Sequence, residues 1–105
     1  MKSYVKVWEF RVKSGSEELF EKISGTGGDW ECTMKKAEGF MKTELLRDVE
    51  KPRRYLTIDY WNSAAAFDNF KIDFAAEYRA LDERCEALTE REMLLGSFFS
   101  TLPKN

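Results

Sequence analysis

An α+β domain of β-α-β-β-α-β order is what this 105-residue sequence predicts, and three observations predict it. Four segments rich in β-branched and aromatic residues alternate with a period of two. The stretches between the first and second, and between the third and fourth, carry apolar residues at helical spacing. Between the second and third stands only the turn Glu50-Lys51-Pro52, which joins neighbours into an antiparallel hairpin. The length suits a single domain, residues 1–105, with one core.

The first strand is read over residues 4–12, YVKVWEFRV, with Tyr4, Trp8, Phe10 and Val12 on one face and Val5 and Val7 on the other. Ser14-Gly15-Ser16-Glu17 has capping-box spacing, so a short helix should follow and bury Leu19, Phe20 and Ile23. Gly25-Thr26-Gly27-Gly28 breaks it, and Asp29 is placed to cap a second short helix with the stripe Trp30, Met34 and Ala37. Strands are expected over Phe40 to Val49 and Arg53 to Trp61. Asn62 and Ser63 can cap a helix with Phe67, Phe70 and Phe74, broken near Lys71-Ile72-Asp73. Phe74, Tyr78, Leu81, Cys85 and Leu88 then mark a long helix, Glu90 to Phe99 a last strand, and TLPKN a fraying tail.

That order is the ferredoxin-like plan, a four-stranded antiparallel sheet with both helical crossovers on one face. The other face should be polar if it meets water. Instead Val5 and Val7 lie opposite Trp8 and Phe10, Leu56 and Ile58 opposite Tyr55 and Trp61, and Leu94 and Phe98 opposite Leu95 and Phe99. A homodimer formed through the bare sheet face is therefore expected.

Composition narrows the function. The sequence contains no histidine, which removes Ser-His-Asp and Cys-His catalysis, HExxH zinc sites and a histidine haem ligand from within the chain. A net charge of -2, with basic clusters only at Lys35-Lys36 and Lys51-Pro52-Arg53-Arg54, is a poor footprint for nucleic acid or anionic lipid. No apolar run is long enough for a membrane span and the N-terminus alternates from its start, so a cytoplasmic protein is expected. Cys32 and Cys85 lack metal or redox spacing and read as reduced thiols; neither a metal site nor a cofactor is expected. SGTGGDW lacks the GK[ST] ending of a phosphate loop and follows a helix, so it reads as a flexible linker, a candidate lid anchored by Trp30.

YVKVWEFRV, AEGFMKTELLRD and above all RYLTIDYWNSAAAFDNF resemble the antibiotic-biosynthesis-monooxygenase branch of the dimeric α+β barrel superfamily, over nearly the whole chain. The resemblance implies the dimeric barrel and the cofactor-independent oxygenase theme, in which an electron-rich phenol or anthrone is itself the electron source for dioxygen. It does not extend to haem degradation, because the helix after the tryptophan offers Phe67, Asn69 and Phe70 where that branch has a histidine. Trp61 is carried over by resemblance as a pocket wall, with simple core filling as the alternative.

Alternation on the third strand places Tyr55, Thr57, Asp59 and Trp61 on one face, so Asp59 is the candidate base, shielded by Trp61. An ion pair with an arginine such as Arg47, or a cap on neighbouring backbone, is the commoner fate of such a residue. Trp8, Tyr78, Trp30 and Asn62 are candidate substrate contacts, each with an ordinary structural alternative: core packing for the aromatics, a helix cap for Asn62. An RNA-recognition domain shares the topology, but Leu56 and Thr57 stand where its strand motif needs glycine and a second aromatic. The expected partner is an aromatic or polyketide-like small molecule; the rival reading is a noncatalytic dimeric binding or assembly module. A sealed pocket holding an ionisable residue would favour the enzyme, and a filled core the module.

Overall fold

The alternating segments are realised as β1 (Tyr4–Val12), β2 (Phe40–Arg47), β3 (Arg54–Trp61) and β4 (Thr89–Phe99) in a computed structural model that describes residues 3–101. The helices are α1 (Glu17–Ser24), α2 (Asp29–Met34), α3 (Ala64–Asp73) and α4 (Ala75–Leu88). One antiparallel sheet has the order β2-β3-β1-β4. This is the ferredoxin-like α+β fold, and no helix among the described residues is long and apolar enough to cross a membrane. From Leu102 on, the tail expected to fray lies outside the described residues.

Register decides which side chains share a face. Lys6 of β1 stands opposite Asp59 of β3, and Asp59 opposite Thr43 of β2. Trp8 pairs with Thr57 and Phe10 with Tyr55, all on the helix-facing side. The two core clusters lie between this face and the helices: Phe10, Val12, Phe20, Ile23, Tyr55, Leu81 and Cys85 in one, Met34, Trp61, Phe67 and Phe70 in the other.

Several local expectations are corrected. The Ser14–Glu17 capping box does not form; Ser16 is the N-cap without a side-chain bond, and Glu17 Oε1 accepts from the Gly15 amide at 2.7 Å. Leu19 is exposed, because it falls outside the face carrying Phe20 and Ile23. Gly28, not Asp29, caps α2, and Asp29 reaches instead to Arg84 at 2.6 Å. The third strand starts at Arg54, since Arg53 takes a left-handed φ of 67° in the turn and sends its guanidinium to the Val12 carbonyl at 3.0 Å. Ser63 caps α3, its Oγ accepting from the Ala66 amide at 3.1 Å, and the break between α3 and α4 falls at Phe74.

A bulge between Val7 and Trp8 in the β1–β4 pairing resets the parity of the last strand. Leu94 pairs with Trp8 and Phe99 with Tyr4, so they share the helix-facing side, while Phe98 pairs with Val5 on the outer side. The expected grouping of Leu94 with Phe98 is thereby overturned. The Phe98 ring lies over Gly96, where a Cβ would come within 2.7 Å of it.

Candidate active site

The cavity draws on every strand and every helix. It is lined by members of both core clusters and encloses about 590 Å³ of space between atoms, the open solvent at its mouth included. Trp8 and Phe10 come from β1, Trp30 and Met34 from α2, Phe67 and Phe70 from α3, and Tyr78 from α4. Polar groups enter from the strands as Thr43, Thr57, Asp59 and Glu92, and from α1 and α4 as Ser24, Asp82 and Cys85.

Asp59 is held by its neighbours on the sheet. Thr43 Oγ1 donates to Asp59 Oδ1 at 2.5 Å. Loss of water raises the carboxyl to about 6, against which the Thr43 bond and the positive charge of Lys6 pull downward. The expected pair with Arg47 does not exist: Arg47 faces Glu21 at 3.6 Å, two register steps away beside Tyr55. No ion pair to Asp59 forms among the described residues.

Tyr78 packs edge-on against Trp30 at 5.4 Å and against Phe70 at 5.9 Å. Burial, then the charges of Asp82, Glu92 and Asp59, push its hydroxyl to about 12, so it stays a proton donor at neutral pH. Trp30 Nε1 donates to Cys85 Sγ at 3.1 Å, which fixes the indole as a wall and satisfies its polar edge.

The cavity thus brings together Asp59, Trp8, Trp30 and Tyr78. It leaves out Trp61 and Asn62. Trp61 is 0% exposed, wedged among Phe40, Phe67 and Phe70, and its Nε1 has no partner among the described residues. It backs the wall through Phe67 and Phe70. Asn62 is exposed just after β3, its backbone N–H donating to the Gly39 carbonyl at 2.8 Å. Tyr55, which precedes the Leu56 and Thr57 that break the RNA-recognition motif, is buried against Phe20 with its hydroxyl on Glu21.

Glu92 and Asp82 escaped the sequence reading. Asp82 follows Tyr78 by one helical turn on α4, a spacing that would have found it. Glu92 stands opposite Phe10, exposed as a whole residue, yet desolvation and the charges of Asp82 and Glu86 lift it to about 7.

Comparison with known proteins agrees with this architecture. The family model described as "Antibiotic biosynthesis monooxygenase" matches residues 3–72. The chain belongs to that family. The match runs from β1 through most of α3 and so includes Trp8, Trp30 and Asp59, while Tyr78, Asp82 and Glu92 lie beyond it.

Among solved structures, a variant of SnoaB, a cofactor-independent oxygenase from Streptomyces nogalater, superposes with a TM-score of 0.75 at 23% identity, covering 98% of this chain and 97% of that one. A protein from Nitrosomonas europaea described as a candidate antibiotic biosynthesis monooxygenase gives a TM-score of 0.79 at 15% identity, over 98% and 94% of the two chains. PA3566 from Pseudomonas aeruginosa gives 0.73 at 13%, over 97% of each. At these identities the likeness is one of fold. No curated protein matches the sequence.

Proposed function

We propose that this chain is a small oxygenase that acts on a planar, electron-rich aromatic compound, with Asp59 as base and the substrate as the source of electrons for dioxygen. The observation that carries the reading is a ring-walled cavity holding a desolvated carboxylate that forms no ion pair among the described residues, with only the more distant charge of Lys6 acting on it. Membership of the monooxygenase family supports it.

In this reading Asp59 takes the proton of a phenol or of an acidic C–H. The Tyr78 hydroxyl donates to the resulting oxyanion, and Trp8 and Trp30 hold the ring while excluding water. The anion passes one electron to dioxygen, substrate radical and superoxide combine at a ring carbon that still bears a hydrogen, the peroxide takes back the proton held by Asp59, and the hydroperoxide loses water with that hydrogen to leave a ketone. One oxygen atom enters the product and the other leaves as water, so no external reductant is needed. Metal analysis and absorption spectroscopy of active protein test this: stoichiometric iron, haem or flavin would overturn it.

Assembly with a second copy belongs to the same proposal. The outer sheet face presents Val7, Leu56 and Ile58, and β4 leaves Phe98 52% and Phe99 63% exposed, more apolar surface than an edge strand in water ordinarily shows. A reducing compartment such as the cytoplasm suits a chain whose two cysteines are both free.

A further inference from the structure

The cavity walls combine ring faces with carboxylates and, among the described residues, include neither arginine nor lysine. Both kinds of wall attract positive charge, the rings through their quadrupole and the acids directly. The chain's own ammonium groups already sit against this wall. Lys6 Nζ lies 4.5 Å from the centre of the Phe67 ring, and Lys71 Nζ lies 5.4 Å from Phe67 and 5.8 Å from Tyr78.

Those lysines answer two of the three acids, Lys6 acting on Asp59 and Lys71 on Asp82. Glu92 is left facing like charge from Asp82 and Glu86, and it enters no ion pair among the described residues. Its backbone is held on the helix-facing side of β4 opposite Phe10, within electrostatic reach of Tyr78. Among the described residues no group of three or more acids, cysteines or histidines could hold a metal ion, so an organic cation is the chemistry that suits this end.

We propose that the Glu92 end of the cavity recognises a positively charged amine on the aromatic substrate, making Glu92 the residue that selects the charge of the ring compound taken. This rests on the aromatic-substrate reading above. The ammonium would complete a pair that the fold leaves open, with the Tyr78 ring beside it. At pH 8, where Glu92 is ionised and where the probes below are compared, a ring bearing a carboxylate would be repelled there.

Calorimetric titration of the full chain with three 2-naphthol probes tests the proposal. Two are alike in shape and carry a trimethylammonium or a tert-butyl group on the far ring, and the third carries a carboxylate. The ammonium probe should bind about tenfold more tightly than its tert-butyl counterpart, and the carboxylate probe most weakly. Glu92→Gln, with its fold checked by circular dichroism, should bring the ammonium to tert-butyl ratio close to one. Equal affinities, a preference for the carboxylate, or a ratio that survives the substitution would overturn the proposal while leaving the aromatic site standing. If none of the probes binds, the aromatic-site reading fails and this inference fails with it. Should the variant not fold, the ratio in the unaltered protein decides alone.

Discussion

Taking a carboxylate out of water raises the cost of its charge, and Asp59 shows how little its surroundings offset that cost. The folded chain holds a proton there up to about 6, whereas an unperturbed aspartate releases it near 3.8. Across that window the folded state binds more protons than the unfolded state, so this residue's contribution to stability falls as pH rises. Asp59→Asn keeps an acceptor for Thr43 and removes the charge. It should raise stability at pH 8 by on the order of 2 kcal/mol, with the gain fading toward pH 4, as thermal melts at both pH values would show. If Asp59 is the proposed base, turnover should drop by about 10²- to 10⁴-fold, and in the unaltered protein the rate should climb with pH through about 6. A variant that melts lower at pH 8, or turns over normally, removes Asp59 as base. Trp61 makes the contrasting prediction. Sealed behind Phe67 and Phe70, it fills core, so Trp61→Phe should lower stability by about 2 kcal/mol in a denaturant titration while changing turnover little.

At the scale of elements, the cavity depends on where short helices are pinned. Gly39 precedes β2 with a φ of +92°, and a Cβ there would stand 2.6 Å from the Ala66 Cβ on α3. Gly39→Ala is therefore strained in its backbone and in its packing at once. It should cost roughly 2 kcal/mol or more and, by displacing α3 with its Phe67 and Phe70, weaken binding of ring probes. Ser63→Ala removes the one side-chain cap bond on that helix, and a loss of about 1 kcal/mol in chemical denaturation is expected. These elements were legible because period-two and period-3.6 patterns are local. Their ends were less so: Ser14 and Asp29 have good capping chemistry, but the chain turns at Ser16 and Gly28, and Asp29 finds Arg84 across the fold.

For the whole molecule, apolar residues on both sheet faces set the expected assembly. Val7 and Ile58 are cross-strand partners on the outer face, so an aspartate at either should turn a dimer into a monomer, or unfold it, with light scattering separating the two outcomes. A native monomer that is well folded at micromolar concentration would remove the dimer. Such a result would leave the cavity untouched, because its walls face the helices on the opposite side of the sheet.

The sequence by itself determined the four strands, the two helical crossovers, their ferredoxin-like order and the facing of Asp59 with Tyr55 and Thr57, since each follows from spacing along one segment. It also excluded every chemistry that needs histidine. Tertiary structure alone decided that Trp30 and Tyr78 meet edge to edge, that Trp61 is sealed away from the cavity, and that Arg47 turns to Glu21 instead of pairing with Asp59. It also brought Glu92 to the same space as Asp59. These are contacts between distant segments, set by strand register, by the β4 bulge and by helix packing. No local periodicity encodes which of several equally good partners a side chain will reach.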